Sequence, residues 1–170
     1  MWLNAVLIIT LVICVVTDIR SRKIYNKVLL PALIITLIIH IVMTGWEGLT
    51  FALMGLFTGL LILIIPYMMG GIGAGDVKLL ALIGAIKGVS FVINTALFMA
   101  IFGAIIAIMI MLFRKGFVQR LKAIGYFIGS LRLGLKTPIW VNRKNHQLTY
   151  PYGVAIALGA IISLFGNGWF

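Results

Sequence analysis

Long apolar segments alternate with short polar ones along most of the chain. Five segments carry no charged residue: 1–17, 28–46, 48–75, 88–113 and 145–170. An α-helix needs about 20 apolar residues to cross the hydrocarbon core of a bilayer, and most of these segments approach or exceed that length. The pattern predicts six helices, at residues 2–17, 28–43, 49–69, 76–86, 89–113 and 152–165.

The fourth predicted helix, residues 76–86, is too short to cross a bilayer. At a rise of 1.5 Å per residue it spans roughly 17 Å, against about 30 Å of hydrocarbon. It must therefore lie inside the helix bundle, or begin in a recess open to water, because lipid satisfies no backbone hydrogen bonds. Small residues on this helix and on the last one favour close helix contact: Ala81, Gly84, Ala85, Gly88, Ala155, Gly159 and Ser163.

The segment between the fifth and sixth predicted helices has a different pattern. Apolar residues recur there at helical spacing, with arginines and lysines beside them: Phe117, Leu121, Ile124, Ile128, Leu131 and Leu135. This pattern is typical of a basic amphipathic helix that lies in the membrane interface. It favours lipid anchoring, and substrate docking is the alternative.

The composition supports a membrane protein. The chain is 63% hydrophobic and 10% charged, with a mean hydropathy of +1.21, whereas soluble domains carry about a quarter charged residues. We predict an all-α polytopic membrane protein with about six transmembrane helices, and a single membrane-embedded domain covering residues 1–170.

The net charge of +11 is concentrated between the apolar segments. Four cationic residues lie within 20–27 and eight within 114–144, a distribution that marks cytoplasmic loops and favours contact with anionic lipids. It therefore argues against nucleic acid as a partner. With these loops inside, both termini lie outside.

Several catalytic chemistries are excluded by the residues present. Cys14 is the only cysteine, and its position in an apolar segment indicates a small core residue. His40 and His146 lie on separate segments and no H-E-x-x-H occurs, so no metalloprotease site is predicted. No serine lies in a G-x-S-x-G turn, and the glycines before Asp76 lack the lysine of a P-loop. We expect no metal and no cofactor.

The acidic residues are only three: Asp18, Glu47 and Asp76. Glu47 falls in the turn between the second and third predicted helices and is expected to be exposed. The chain crosses the membrane twice between the two aspartates, so both lie at the cytoplasmic face. Position alone leaves two interpretations of Asp18 and Asp76 open. Either each one lies at a helix end among hydrated lipid headgroups, or the two form one functional site.

A pair of carboxylates suggests a specific chemistry. Two neighbouring carboxyl groups share a proton, so that one activates water and the other protonates the substrate, as in aspartic peptidases. Asp76 begins a helix and Asp18 ends one, so the helix dipoles predict that Asp18 holds the shared proton. The rival from another class is a small transporter that uses both aspartates as a proton or cation site.

Three motifs resemble those of the type IV prepilin peptidases. "GIGAGDVKLLALIGAIKG", residues 71–88, is similar to the family's G-x-G-D signature. "DIRSRKIYN", residues 18–26, is similar to its first aspartate motif, with Tyr25 in place of the usual proline. "YPYG", residues 150–153, is similar to its Pro-Tyr-Gly motif.

The resemblance implies a membrane aspartic endopeptidase that removes the leader of type IV prepilin-like or pseudopilin precursors at the cytoplasmic membrane face. It implies that Asp18 and Asp76 are the catalytic pair. The other matching positions are expected to have supporting roles: Asn26, Gly73, Gly75, Lys78, Pro151, Tyr152 and Gly153. The expected partners are precursors with a basic leader and a hydrophobic N-terminal helix, together with membrane lipids.

The chain is most similar to the short, peptidase-only form of the family found with Flp/Tad-type pili. Longer members carry a methyltransferase region with four cysteines, so no N-methyltransferase activity is expected here. Archaeal preflagellin peptidases are relatives of similar plan and remain an alternative. Presenilin-type peptidases share the G-x-G-D but carry a Pro-Ala-Leu motif that this sequence lacks.

Overall fold

The computed structural model describes residues 2–113 and 152–166, and this part of the chain is all-helical, as predicted. It contains five α-helices: α1 Trp2–Ser21, α2 Asn26–Met68, α3 Ala74–Lys87, α4 Val89–Phe113 and α5 Tyr152–Gly166. The predicted interfacial helix lies outside the described residues.

The chain divides into two compact units, residues 1–104 with 149–170 and residues 105–148. Within the second unit, the described residues 105–113 are helical. In the described part of the chain, three helical segments are long and apolar enough to cross a membrane: Trp2–Ser21, Asn26–Met68 and Val89–Met109. α5 is apolar but shorter.

α2 is a helical hairpin, because the chain reverses direction at Gly45 within it. Gly45 has φ 63° and ψ −134°, a conformation that glycine adopts without strain. On either side of it, the rings of His40 and Phe51 lie 5.6 Å apart. The two arms, residues 26–44 and 46–68, correspond to the second and third predicted helices, and Glu47 at the turn is exposed as expected.

Among the described helices, α3 is the most enclosed. This agrees with the prediction that a helix too short to cross the bilayer lies inside the bundle. Its side chains are buried from Leu79 through Ile86. A Cβ on Gly84 would overlap the carbonyl oxygen of Gly55 on the second arm of α2. One turn further along, a Cβ on Gly59 would lie 2.7 Å from the Cα of Ala81. The two helices thus approach backbone to backbone, which only very small residues permit.

α5 packs against α4 through its own small residues. A Cβ on Gly159 would lie 2.7 Å from the carbonyl oxygen of Thr95 and 2.9 Å from the nitrogen of Met99. Contacts also join α5 to α1 and α3. This packing brings the N-terminal turn of α5, with Gly153, against the C-terminal turn of α1, which carries Asp18.

Candidate active site

A cavity of about 360 Å³ lies where α1 ends and α2 and α3 begin. Asp18 and Asp76 both line it, together with the loop at residues 22–25. The predicted convergence of the two aspartates is therefore observed. Asp18 is 4% exposed and Asp76 is 9% exposed, so both carboxyl groups are largely withdrawn from water, which makes two full negative charges costly.

Asp76 occupies the first turn of α3. Its Oδ2 accepts a hydrogen bond from the backbone N–H of Gly73, the residue before the helix, at 3.2 Å. Burial raises the pKa of Asp76 from its ordinary 3.8 to about 7. The negative charge of Asp18 acts in the same direction, while the N–H of Gly73 opposes it. Asp76 is thus suited to carry a proton near neutral pH.

Asp18 lies in the last turn of α1, in different surroundings. The backbone N–H groups of Gly153 and Val154, at the start of α5, lie near its carboxylate. The loop that begins at Arg22 lines the same cavity. Its Oδ2 is buried and has no hydrogen-bond partner among the described residues.

The helix dipoles, taken one helix at a time, placed the shared proton on Asp18. In the structure, a second helix, α5, begins beside the Asp18 carboxylate, which the dipole of α1 alone does not take into account. The raised pKa of Asp76 lets that residue also hold the shared proton near neutral pH.

Two glycines are required by close contacts at the site. A Cβ on Gly153 would lie 2.7 Å from Oδ2 of Asp18, so the start of α5 approaches the carboxylate only because this residue has no side chain. A Cβ on Gly75 would lie 2.9 Å from Cβ of Ile24. Gly75 therefore allows the loop after α1 to approach the start of α3.

Three of the remaining predicted site residues line the same cavity. These three are Gly73, Gly75 and Asn26. Lys78 donates a hydrogen bond from Nζ to Oδ1 of Asn26 at 3.1 Å, joining α3 to the start of α2. Tyr152 is the first residue of α5, and Pro151 lies outside the described residues.

Several residues that line the cavity were not predicted from the sequence as site residues, among them Arg22, Lys23 and Ile24. The available signal was their position within the first aspartate motif, four to six residues after Asp18. Cys14 is buried, as predicted for a small core residue. Within residues 2–113 and 152–166, no three histidine, cysteine or carboxylate side chains are grouped as a metal site.

The raised pKa of Asp76 predicts how stability changes with pH. The folded state holds a proton here that the unfolded chain releases near pH 3.8, so this contribution is complete below pH 3.8 and is lost as pH rises toward about 7. A shift of this size corresponds to at most on the order of 4 kcal/mol. Thermal unfolding in detergent should show a midpoint that falls between pH 4 and pH 8, and falls less in Asp76→Asn. Equal slopes in the two proteins would contradict the assignment.

A comparison with protein-family models gives one result that bears on this site. The model of the type IV leader peptidase family matches residues 5–108, which include both aspartates. The comparisons with curated proteins and with solved structures found no match. The matched region covers more than half of the chain and contains most of α1 and all of α2 and α3, so the chain belongs to the type IV leader peptidase family.

Proposed function

We propose that this protein is a membrane aspartic endopeptidase that removes the leader peptide of type IV prepilin-like or pseudopilin precursors. One observation carries the proposal: Asp18 and Asp76, from separate helices, line one cavity at which α1, α2 and α3 meet. Two buried carboxyl groups with different surroundings are the arrangement that aspartic peptidase chemistry needs. Membership of a leader peptidase family supports the same substrate class.

In the proposed reaction, Asp18 is the base and Asp76 is the acid. The carboxylate of Asp18 takes a proton from water, and the water oxygen attacks the scissile carbonyl carbon. Asp76 donates its proton to the carbonyl oxygen, giving a neutral gem-diol. The leaving nitrogen then takes the proton from Asp18 as the C–N bond breaks, and Asp76 recovers a proton from the diol hydroxyl. The pair returns to its starting state.

The membrane arrangement is part of the proposal. Counting the two arms of α2 separately, the helices form a single membrane domain of about six spans in the cytoplasmic membrane, with the buried α3 as the short one. The loops at residues 22–25 and 69–73 then face the cytoplasm together with the cavity. Cationic residues in the first loop fit the positive-inside pattern. The substrate's basic leader would remain in the cytoplasm while its hydrophobic helix lies in the bilayer.

Reconstitution in lipid vesicles tests the proposal. The purified chain is mixed with a precursor that carries a basic leader and a hydrophobic helix, and mass spectrometry identifies the new N-terminus. Cleavage at the leader junction is the expected result. An uncleaved precursor, combined with aspartate-dependent proton or cation flux across the same vesicles, would instead favour the transporter.

Replacing Gly153 with alanine should impair leader removal with little loss of stability. The added Cβ would lie 2.7 Å from Oδ2 of Asp18, so the carboxylate must move away from the start of α5. Small displacements of a reacting group commonly reduce rates about a hundredfold. Cleavage rate and thermal midpoint measure the two effects. The control is Gly166→Ala at the other end of α5, where a Cβ meets nothing within 4 Å. Equal cleavage by both variants would contradict the prediction.

A further inference from the structure

We propose that an apolar groove beside the candidate active site binds the hydrophobic segment of the precursor, on the membrane side of the scissile bond. The groove, called the α2–α3 groove below, lies between the two arms of α2 and α3 and has a volume of about 280 Å³. The inference rests on the proposed peptidase function and adds a docking site for its substrate. Six leucines form most of the lining: Leu29, Leu30, Leu33, Leu56, Leu60 and Leu82.

The α2–α3 groove adjoins the cavity that holds the two aspartates. Asn26, the first residue of α2, lines both the groove and the cavity. Lys78 also lines the groove, and its Nζ donates a hydrogen bond to Oδ1 of Asn26 at 3.1 Å. Polar groups thus mark the end of the groove that meets the cavity, and leucines line the rest. A substrate whose scissile bond lies at the aspartates can therefore continue past Asn26 along the leucines.

The shape of the α2–α3 groove suits one face of a short helical segment. From Asn26 to Leu33, α2 rises about 10 Å, or two helical turns. Leu29 is 4% exposed and Leu82 is 2% exposed, whereas Leu30 is 56% exposed, so the groove has a buried floor and an open rim. An apolar helix binds such a groove with side chains three, four and seven residues apart. In the proposed membrane arrangement, the groove leads from the cytoplasmic face into the bilayer.

A second apolar groove shows why position, and not apolar lining alone, selects the occupant. It lies between α1 and α5, has a volume of about 240 Å³ and is lined by residues such as Val12 and Ala157. Among the described residues, none lines both this groove and the cavity. Lipid tails are as apolar as leucine, so binding inside a bilayer depends on close packing and on what else holds the ligand. At the α2–α3 groove, the aspartate cavity supplies that second contact.

Cysteine crosslinking locates the bound segment without using activity. Leu30→Cys and Val12→Cys are a matched pair, because each residue lines one groove and they are 56% and 57% exposed. Both are made in Asp76→Asn, so that the precursor stays whole, and the native Cys14 is buried. The precursor carries one cysteine, either in the first two turns of its hydrophobic segment or in its leader. Leu30→Cys should crosslink to the segment at least about tenfold more than Val12→Cys does, because the bound thiols are held together.

Three outcomes of the crosslinking would overturn the proposal. The first is equal yields from the two grooves, which is expected if lipid alone occupies both. The second is crosslinking of Leu30→Cys only to a second copy of this chain. The third is crosslinking to the leader as readily as to the hydrophobic segment.

Leu30→Trp tests whether the α2–α3 groove contributes to cleavage. The larger side chain should obstruct the groove and raise KM for the full precursor about tenfold, a loss of about 1.4 kcal/mol of binding, with kcat unchanged. A short peptide that contains the cleavage junction but lacks the hydrophobic segment should be cleaved as by wild type. Val12→Trp is the control and should change neither substrate, and thermal midpoints show that both variants fold.

Equal effects of Leu30→Trp on the two substrates, or no effect on either, would contradict docking in the groove. Absence of cleavage by the wild type would instead refute the proposed function. The crosslinking needs no cleavage, so it distinguishes failure of the docking site from failure of the peptidase.

Discussion

Replacing Asp18 or Asp76 with asparagine is expected to abolish leader removal, with each change lowering the rate at least about a thousandfold. Asparagine keeps the shape of the side chain but can neither take a proton from water nor donate one to the scissile carbonyl. The described lining of the cavity offers no other carboxyl group as a substitute. Groups that act as a unit lose most of their effect when either is removed. The double variant should therefore be little worse than either single one.

The measurement is the amount of mature product formed over time from a co-expressed precursor. Glu47→Gln is the matched control, because it removes the third acidic residue of the chain at an exposed turn on another part of the fold. It should cleave at the wild-type rate. Thermal unfolding should show that both aspartate variants are folded, with Asp76→Asn at least as stable as wild type above pH 7. Cleavage that persists in both single variants would refute the catalytic pair.

Gly84→Ala is expected to destabilise the fold by about 2–3 kcal/mol or more, a large effect for one methyl group. The added Cβ would overlap the carbonyl oxygen of Gly55 on the neighbouring arm of α2. Neither partner at that contact is a flexible side chain, so the backbones of the two helices must separate. Because α3 carries Asp76, the same separation should also lower the rate of leader removal.

Gly103→Ala is a matched control for this prediction. Both glycines lie within helices, so alanine should gain roughly the same helix propensity, about 1 kcal/mol, at each position. At position 103 a Cβ would meet only a ring carbon of Tyr152, at 4.0 Å, which is an ordinary contact. In detergent, the midpoint of thermal unfolding should therefore be lower than wild type for Gly84→Ala, and unchanged or higher for Gly103→Ala. A Gly84→Ala protein as stable as wild type would contradict the close approach of α2 and α3.

Much of the helical plan could be predicted from the sequence because lipid imposes a simple rule. Each apolar run must satisfy its own backbone, so runs of about 20 residues become helices. The second and third predicted helices agree with the arms of α2 to within about three residues. The chain reversal between them, at Gly45, also lies where the polar turn was predicted.

Part of the candidate active site could also be predicted from the sequence. Two membrane crossings separate Asp18 from Asp76, so topology alone predicted that they lie at one face. Motif spacing also indicated Asn26, Gly73 and Gly75, all of which line the cavity. The sequence could not show why position 153 needs a glycine. The contact that requires it joins residues 18 and 153, which are far apart in the chain.

The sequence by itself determined the helices, the two aspartates as candidates for a pair and the residue types available for chemistry. These follow from hydrophobicity, charge and local spacing, which act over a few turns of chain. Only the tertiary structure decided the surroundings of each carboxyl group. The N-terminus of α5 lies against Asp18, and the burial of Asp76 raises its pKa. Both features join residues that are far apart in the chain, and the N-terminus of α5 reaches Asp18 only when the helices pack.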